Sequence, residues 1–204
     1  MKKVNWGING VKLNAYLKMI RKENRTAVLH TVRGENDEDH VWLLTDFLAL
    51  RVPAGYVYKE IMQPYTMTDA PEFWETKSLT GRDRDAESLV RAVENFLGNA
   101  DKLAYDTHFT AAYGEQGKTK TVKVFALEDG ASVAVNADYA AVFDMGQYAS
   151  IHGSSYYGPI TFEGSYGIKG IVLPVRIESE LRSRMDALCA CFALPGARME
   201  GNAA

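Results

Sequence analysis

The sequence predicts an α+β domain built from two pseudo-symmetric β-α-β-β repeats, with a helical insertion between them and a helix at the C-terminal end. Three observations predict it. A short stretch is written twice: Val11-Lys12-Leu13-Asn14-Ala15-Tyr16-Leu17 and Val133-Ala134-Val135-Asn136-Ala137-Asp138-Tyr139. Each copy places apolar residues in strand alternation before an Asn, and an Asn side-chain oxygen accepts from the free amides of a first helical turn. Each copy is followed by runs with strand character, and the stretch between the copies, residues 63–114, breaks the pattern.

In order along the chain, Leu13, Tyr16, Leu17 and Ile20 recur at helical spacing, so a helix over 15–23 follows the cap at Asn14. Residues 26–32 read as a strand, the polar run Gly34-Glu35-Asn36-Asp37-Glu38-Asp39 as a turn, and the apolar stretch 40–52 as one strand or two. Pro64, Pro71 and Gly81-Arg82-Asp83-Arg84-Asp85 read as loop. Residues 86–97 form an amphipathic helix, with Leu89, Val93, Phe96 and Leu97 on one face and Gly98 as its stop. Residues 118–127 then read as a strand and Glu128-Asp129-Gly130 as a hairpin turn. Another strand runs over 132–135, Asn136 caps, and Tyr139, Val142 and Phe143 space a helix to about Tyr148. Strands over 159–163 and 167–177 and a helix over 179–194 complete the chain, with 198–204 as a loose tail. The expected organisation is a single domain over 1–178 (repeat one 1–62, insertion 63–114, repeat two 115–178), followed by a helix and tail over 179–204.

Composition bounds the function classes. The chain has 204 residues, 47% of them hydrophobic, which is ordinary for a folded domain. Its net charge of −3 argues against a generally basic nucleic-acid binder and leaves room only for a local patch. Met1-Lys2-Lys3 has no apolar run behind it, so no signal peptide is expected, and no window has the length and apolarity of a membrane span. A soluble, cytoplasmic protein is the expectation. Cys189 and Cys191 point about 200° apart on a helix, which suits buried apolar cysteines better than a disulfide or a metal pair.

The stretch from Asp129-Gly130 through Asn136-Ala137-Asp138-Tyr139 to Leu173-Pro174-Val175-Arg176-Ile177 resembles the closing part of a bacterial DNA sliding clamp, the processivity factor of the replicative polymerase. That family ends in a strand finishing Met-Pro-Met-Arg-Leu or a close variant. The first half is similar to a clamp half-domain, with Leu44-Thr45-Asp46 where the family often shows Thr-Asp-Gly. Phe47 stands in place of that Gly and no Arg follows within three residues, which removes support for a function of that loop. The resemblance covers about half of the chain, in two blocks around the insertion. It implies a DNA-clamp-like domain and a non-enzymatic role, with double-stranded DNA and short peptides of polymerases or repair proteins as partners. Clamp rings need six such domains joined through edge strands. The insertion and the C-terminal helix lie outside the family pattern and are placed to cover such edges, which favours a protein that forms no ring.

Two candidate sites follow. Lys18, Arg21, Lys22 and Arg25 recur at i, i+3, i+4 and i+7 on the first helix, a spacing suited to phosphates and equally to a solvated helix face. The second helix carries Asp138, Asp144 and Gln147 instead, which argues against a symmetric DNA surface. Leu173, Pro174, Val175, Arg176 and Ile177 match the family segment that borders a peptide groove, and their alternative role is to fill the core. Catalytic signals are weak. His30, His40, His108 and His152 lack metal-ligand spacing, Gly153-Ser154-Ser155 is no nucleophile elbow, and phosphate-loop and dinucleotide motifs are missing, so neither metal nor cofactor is expected. An adaptor or decoy that keeps the fold without DNA is the second reading, and an enzyme using His152 or His40 beside a carboxylate the third. Tyr148, Tyr156, Tyr157 and Tyr166 form a candidate interaction patch.

Overall fold

The computed structural model describes residues 7–8, 10–22, 28–33, 39–45, 47–53, 76–78, 86–115, 118–143 and 150–190. The chain divides into two units, each built from separated stretches. The first comprises Met1–Asn95, Val142–Ala149 and Glu163–Ile171, and the second Phe96–Ala141, Ser150–Phe162 and Val172–Ala204. The class is α+β, dominated by antiparallel strands.

In the first unit, β1 (Gly7–Ile8) and β2 (Val11–Lys12) form a small hairpin that turns through Gly10 at φ 90°, a conformation open to glycine without steric cost. Helix α1 (Leu13–Lys22) follows directly. Strands β3 (Val28–Arg33), β4 (Asp39–Leu44) and β5 (Leu48–Pro53) make an antiparallel meander. The short β6 (Thr76–Ser78) pairs with the outer side of β3, and β12 (Lys169–Val172) lies beside β5. The stretch 40–52 is therefore two strands. They are joined at Thr45, whose hydroxyl accepts from the amides of Phe47 and Leu48. Val41, Trp42, Leu43 and Leu44 are all buried, the run expected of a strand covered on both faces. Tyr16 is fully buried and donates its hydroxyl to the Leu43 carbonyl at 3.0 Å, so the polar end of a large core side chain is satisfied.

Helix α2 (Ala86–Asn99) begins in the first unit and ends in the second, where β7 (Lys102–Glu115) pairs with β8 (Lys118–Leu127). β8 turns into β9 (Ser132–Asn136) through Gly130 at φ 85°. Asn136 caps helix α3 (Ala137–Ala140) by accepting from the Asp138 amide at 2.9 Å. β10 (Ser150–Gly153) and β11 (Ile160–Glu163) complete the strand order β11-β10-β7-β8-β9. Residues 173–178 then lead to helix α4 (Ser179–Cys189). Alternation on β8 divides its two faces. Val122, Val124 and Ala126 join Ala134, Met185 and Cys189 in one apolar cluster. Phe125 points the other way, edge-on to Phe162 at 6.0 Å. Asp186 accepts from both the amide and the hydroxyl of buried Ser132 and so ties α4 to the start of β9.

Several expectations are corrected. Asn14 lies inside the backbone of α1, whose first residue is Leu13, so it does not stand ahead of the helix as a cap. Gly98 falls within α2 and does not stop it. The helix expected to reach Tyr148 ends at Ala140: the Val142 carbonyl accepts from the Lys12 amide at 2.7 Å and Phe143 bridges Val11, so strand pairing overrides helical spacing. Residues 100–114, expected in the insertion without regular structure, mostly form β7, whose polar and apolar positions are interrupted by an irregularity between Asp106 and Thr110. β6 lies in the expected insertion, between the loops read at Pro71 and at Gly81. The strand expected over 167–177 is regular only over Lys169–Val172, because Pro174 has no amide to continue a ladder and makes a single bridge to Val135. Cys189 is buried as expected; Cys191, Tyr148 and Arg25 lie outside the described residues. Among the described residues, no helix is long and apolar enough to cross a membrane.

Candidate functional site

The two candidate surfaces belong to different units. On α1, Leu13 and Tyr16 are buried while Ala15 and Lys18 are exposed, so the amphipathic spacing holds and Lys18 stands on the solvent side. Arg21 and Lys22 lie in the last turn of the same helix; their side chains, and Arg25, are outside the described residues. Helix α3 is different in charge: Asp138 is exposed in its first turn and its last turn holds no basic residue.

The second surface is the segment after β12. Pro174 bridges Val135 and the Val175 amide donates to the Ala134 carbonyl at 2.8 Å, so the segment runs along the outer edge of β9. Val175 and Ile177 pack against the Val122–Met185–Cys189 cluster together with Leu181 of α4. Arg176, between them, points out and is exposed, the alternation of an extended chain. Beside this segment lies a groove of about 310 Å³. Its apolar lining comes from Tyr113 near the end of β7, Ile177 and Leu181, and its polar lining from Arg176, Glu178, Glu180 and Arg184. This volume is at the small end of the range for ligand pockets, about 300–1,000 Å³.

Of the five residues named for peptide binding, Arg176 and Ile177 reach the groove. Val175 faces the core cluster, and Leu173 and Pro174 are half-buried. Tyr113, Glu178, Glu180, Leu181 and Arg184 were missed. The signal for part of the set was present: Glu180 and Arg184 are four residues apart on a helix whose Leu181 and Met185 face inward.

The histidines do not converge. His40 is buried within hydrogen-bonding distance, 3.3 Å, of the Tyr166 carbonyl. His108 stands exposed on the irregularity in β7 at φ 60°, with its amide donating to Asp106. His152 is half-buried in β10, and of His30 only its place in β3 is described. Among the described residues, no three of His, Cys, Asp and Glu are grouped to hold a metal ion. Of the candidate tyrosine patch, Tyr156 and Tyr157 stack under the Arg182 guanidinium at 4.9 and 5.0 Å, while Tyr166 belongs to the other unit. Compared with models of known protein families, with curated proteins and with solved structures, the chain matches none.

Proposed function

We propose that this chain is a non-enzymatic, clamp-like protein related to DNA polymerase processivity factors, which works by binding segments of partner proteins, with α1 as its surface for double-stranded DNA. One observation carries the reading. The chain runs strand, helix and three strands twice over, as β2-α1-β3-β4-β5 and again as β9-α3-β10-β11-β12. The β-α-β-β order implied by the sliding-clamp resemblance is contained in each run, as β2-α1-β3-β4 and β9-α3-β10-β11. The Leu173-Pro174-Val175-Arg176-Ile177 ending supports the protein-binding half, because Arg176 and Ile177 line a groove that Tyr113 and Leu181 also line. Exposed Lys18 supports the DNA half, since lysines and arginines on a helix face meet phosphates without reading bases.

A specific observation favours a second reading, an adaptor or decoy with the same fold and no DNA binding. Both edges suited to joining clamp domains are engaged: β6 pairs with the outer side of β3, and Pro174 and Val175 run along β9. The exposed Asp138 in the first turn of α3 points the same way.

A gel shift on a short DNA duplex, repeated across salt concentrations, separates the two. Under the leading reading the wild type shifts duplex with an affinity that falls steeply with salt. The Lys18→Glu, Arg21→Glu, Lys22→Glu variant then shifts none. Unchanged affinity in the variant removes α1 as the surface, and no shift by the wild type leaves the adaptor. Light scattering across concentrations adds the assembly: a closed hexamer supports encirclement, and a monomer or dimer supports the adaptor.

A further inference from the structure

Four charged residues of both signs line the groove beside α4. Arg176 and Glu178 lie two apart on the extended segment, and Glu180 and Arg184 lie four apart on the helix. All four side chains are exposed. Glu180 and Arg184 have the i, i+4 spacing at which helical ion pairs form. Yet among the described residues none of the four has an opposite charge within the 4.0 Å of an ion pair. The groove therefore presents two cations and two anions, held near Tyr113, Ile177 and Leu181 and not neutralising one another.

We infer that this groove selects a partner peptide of mixed charge: a short segment with one aliphatic anchor flanked by an acidic and a basic side chain. The inference rests on the peptide-binding half of the function proposed above and adds the chemistry of the peptide. The aliphatic anchor meets Tyr113, Ile177 and Leu181, its acidic flank Arg176 or Arg184, and its basic flank Glu178 or Glu180. A wholly acidic segment meets the two glutamates, and a wholly basic one the two arginines, so each is repelled by half of the rim. A nucleic-acid backbone, with charge of one sign only, is disfavoured for the same reason.

The test uses four fluorescein-labelled peptides of one length with the same central Leu: flanked by Glu on one side and Lys on the other, by Glu on both, by Lys on both, or by Gln on both. Fluorescence anisotropy against the full chain is read at low and high salt. The mixed peptide is expected to bind about fivefold tighter than the Gln peptide, the size two exposed ion pairs provide, with both single-sign peptides weaker. High salt closes the gap. The variant with Arg176, Glu178, Glu180 and Arg184 all replaced by Gln binds the mixed and Gln peptides alike. Equal binding of the mixed and Gln peptides overturns the inference and leaves the peptide groove standing. Binding by none of the four overturns the groove itself as a peptide site, and preference for either single-sign peptide overturns the mixed-charge selection.

Discussion

Val11-Lys12-Leu13-Asn14 and Val133-Ala134-Val135-Asn136 both lead from a strand into a helix, yet α1 runs for 10 residues and α3 for 4. In the first unit the helix begins at Leu13, straight from the β1–β2 hairpin, and buries Leu13 and Tyr16. In the second the Asn136 side chain holds the first turn and the chain leaves it at Ala141. The difference lies in what comes next. Val142 accepts from the Lys12 amide and Phe143 makes an isolated bridge to Val11, and residues held in that extended pairing cannot also continue a helix. A cap chooses where a helix starts; long-range pairing chooses how long it lasts.

The comparison breaks most visibly at the core end of α1. Tyr16→Ala is expected to cost about 3–5 kcal/mol, the range for removing a fully buried aromatic ring. Urea denaturation of both proteins measures it, and a cost below about 1 kcal/mol contradicts the burial. Next in size is Gly170→Ala. A methyl group there collides with the Phe143 ring, so the substitution is expected to cost about 1–3 kcal/mol by overpacking. It should also speed hydrogen exchange at the Lys12 amide, which donates to Val142. Unchanged exchange would show that the Phe143 seat does not hold that pairing.

The two asparagines sharpen the contrast. Asn136→Ala removes a cap and is expected to cost about 1 kcal/mol. Asn14→Ala, inside the α1 backbone, stays within about 0.5 kcal/mol of wild type. Equal costs in thermal melts would make Asn14 a cap after all. The smallest effect concerns the turn before Asn136. Burial raises the Asp129 pKa, but the hydrogen bond from Lys102 and the turn amide of Ala131 outweigh it, and the carboxyl ends below its ordinary value. A depressed carboxylate pKa contributes stability that is present at neutral pH and lost as the pH falls through the folded value. Both side chains of the pair are more than a third exposed to the nearest percent, so solvent limits it to about 0.5 kcal/mol. Asp129→Asn should therefore differ slightly from wild type in melts at pH 7 and match it in strong acid; a difference that grows with acidity reverses the sign of this account.

Local chemistry made much of the second unit legible. Asp129-Gly130 marked the β8–β9 hairpin and Asn136 marked its cap, because turn and cap depend on residues a few positions apart. The Asn9-Gly10 pair carries the same kind of hairpin signal for β1 and β2. β7 was hidden for a physical reason. Its irregularity between Asp106 and Thr110 shifts the phase of its alternation, and its exposed Leu103 and Phe109 sit where a strand with one solvent face would carry polar side chains. The groove was partly legible, through Arg176 and Ile177. Tyr113 could not be placed there, since only the folding of β7 against α4 and the segment before it puts residues 113 and 181 side by side.

By itself the sequence determined the α+β class, the positions of α1, α2 and α4, the β8–β9 hairpin and the Asn136 cap. These follow from propensity, periodicity and hydrogen bonds that a few neighbouring residues satisfy among themselves. Only the tertiary structure decided that α3 stops after one turn, that β7 is a strand, and that Arg176, Glu178, Glu180 and Arg184 surround one groove. Each of those outcomes joins residues far apart in the chain, and such contacts are worth more than the local preference they override.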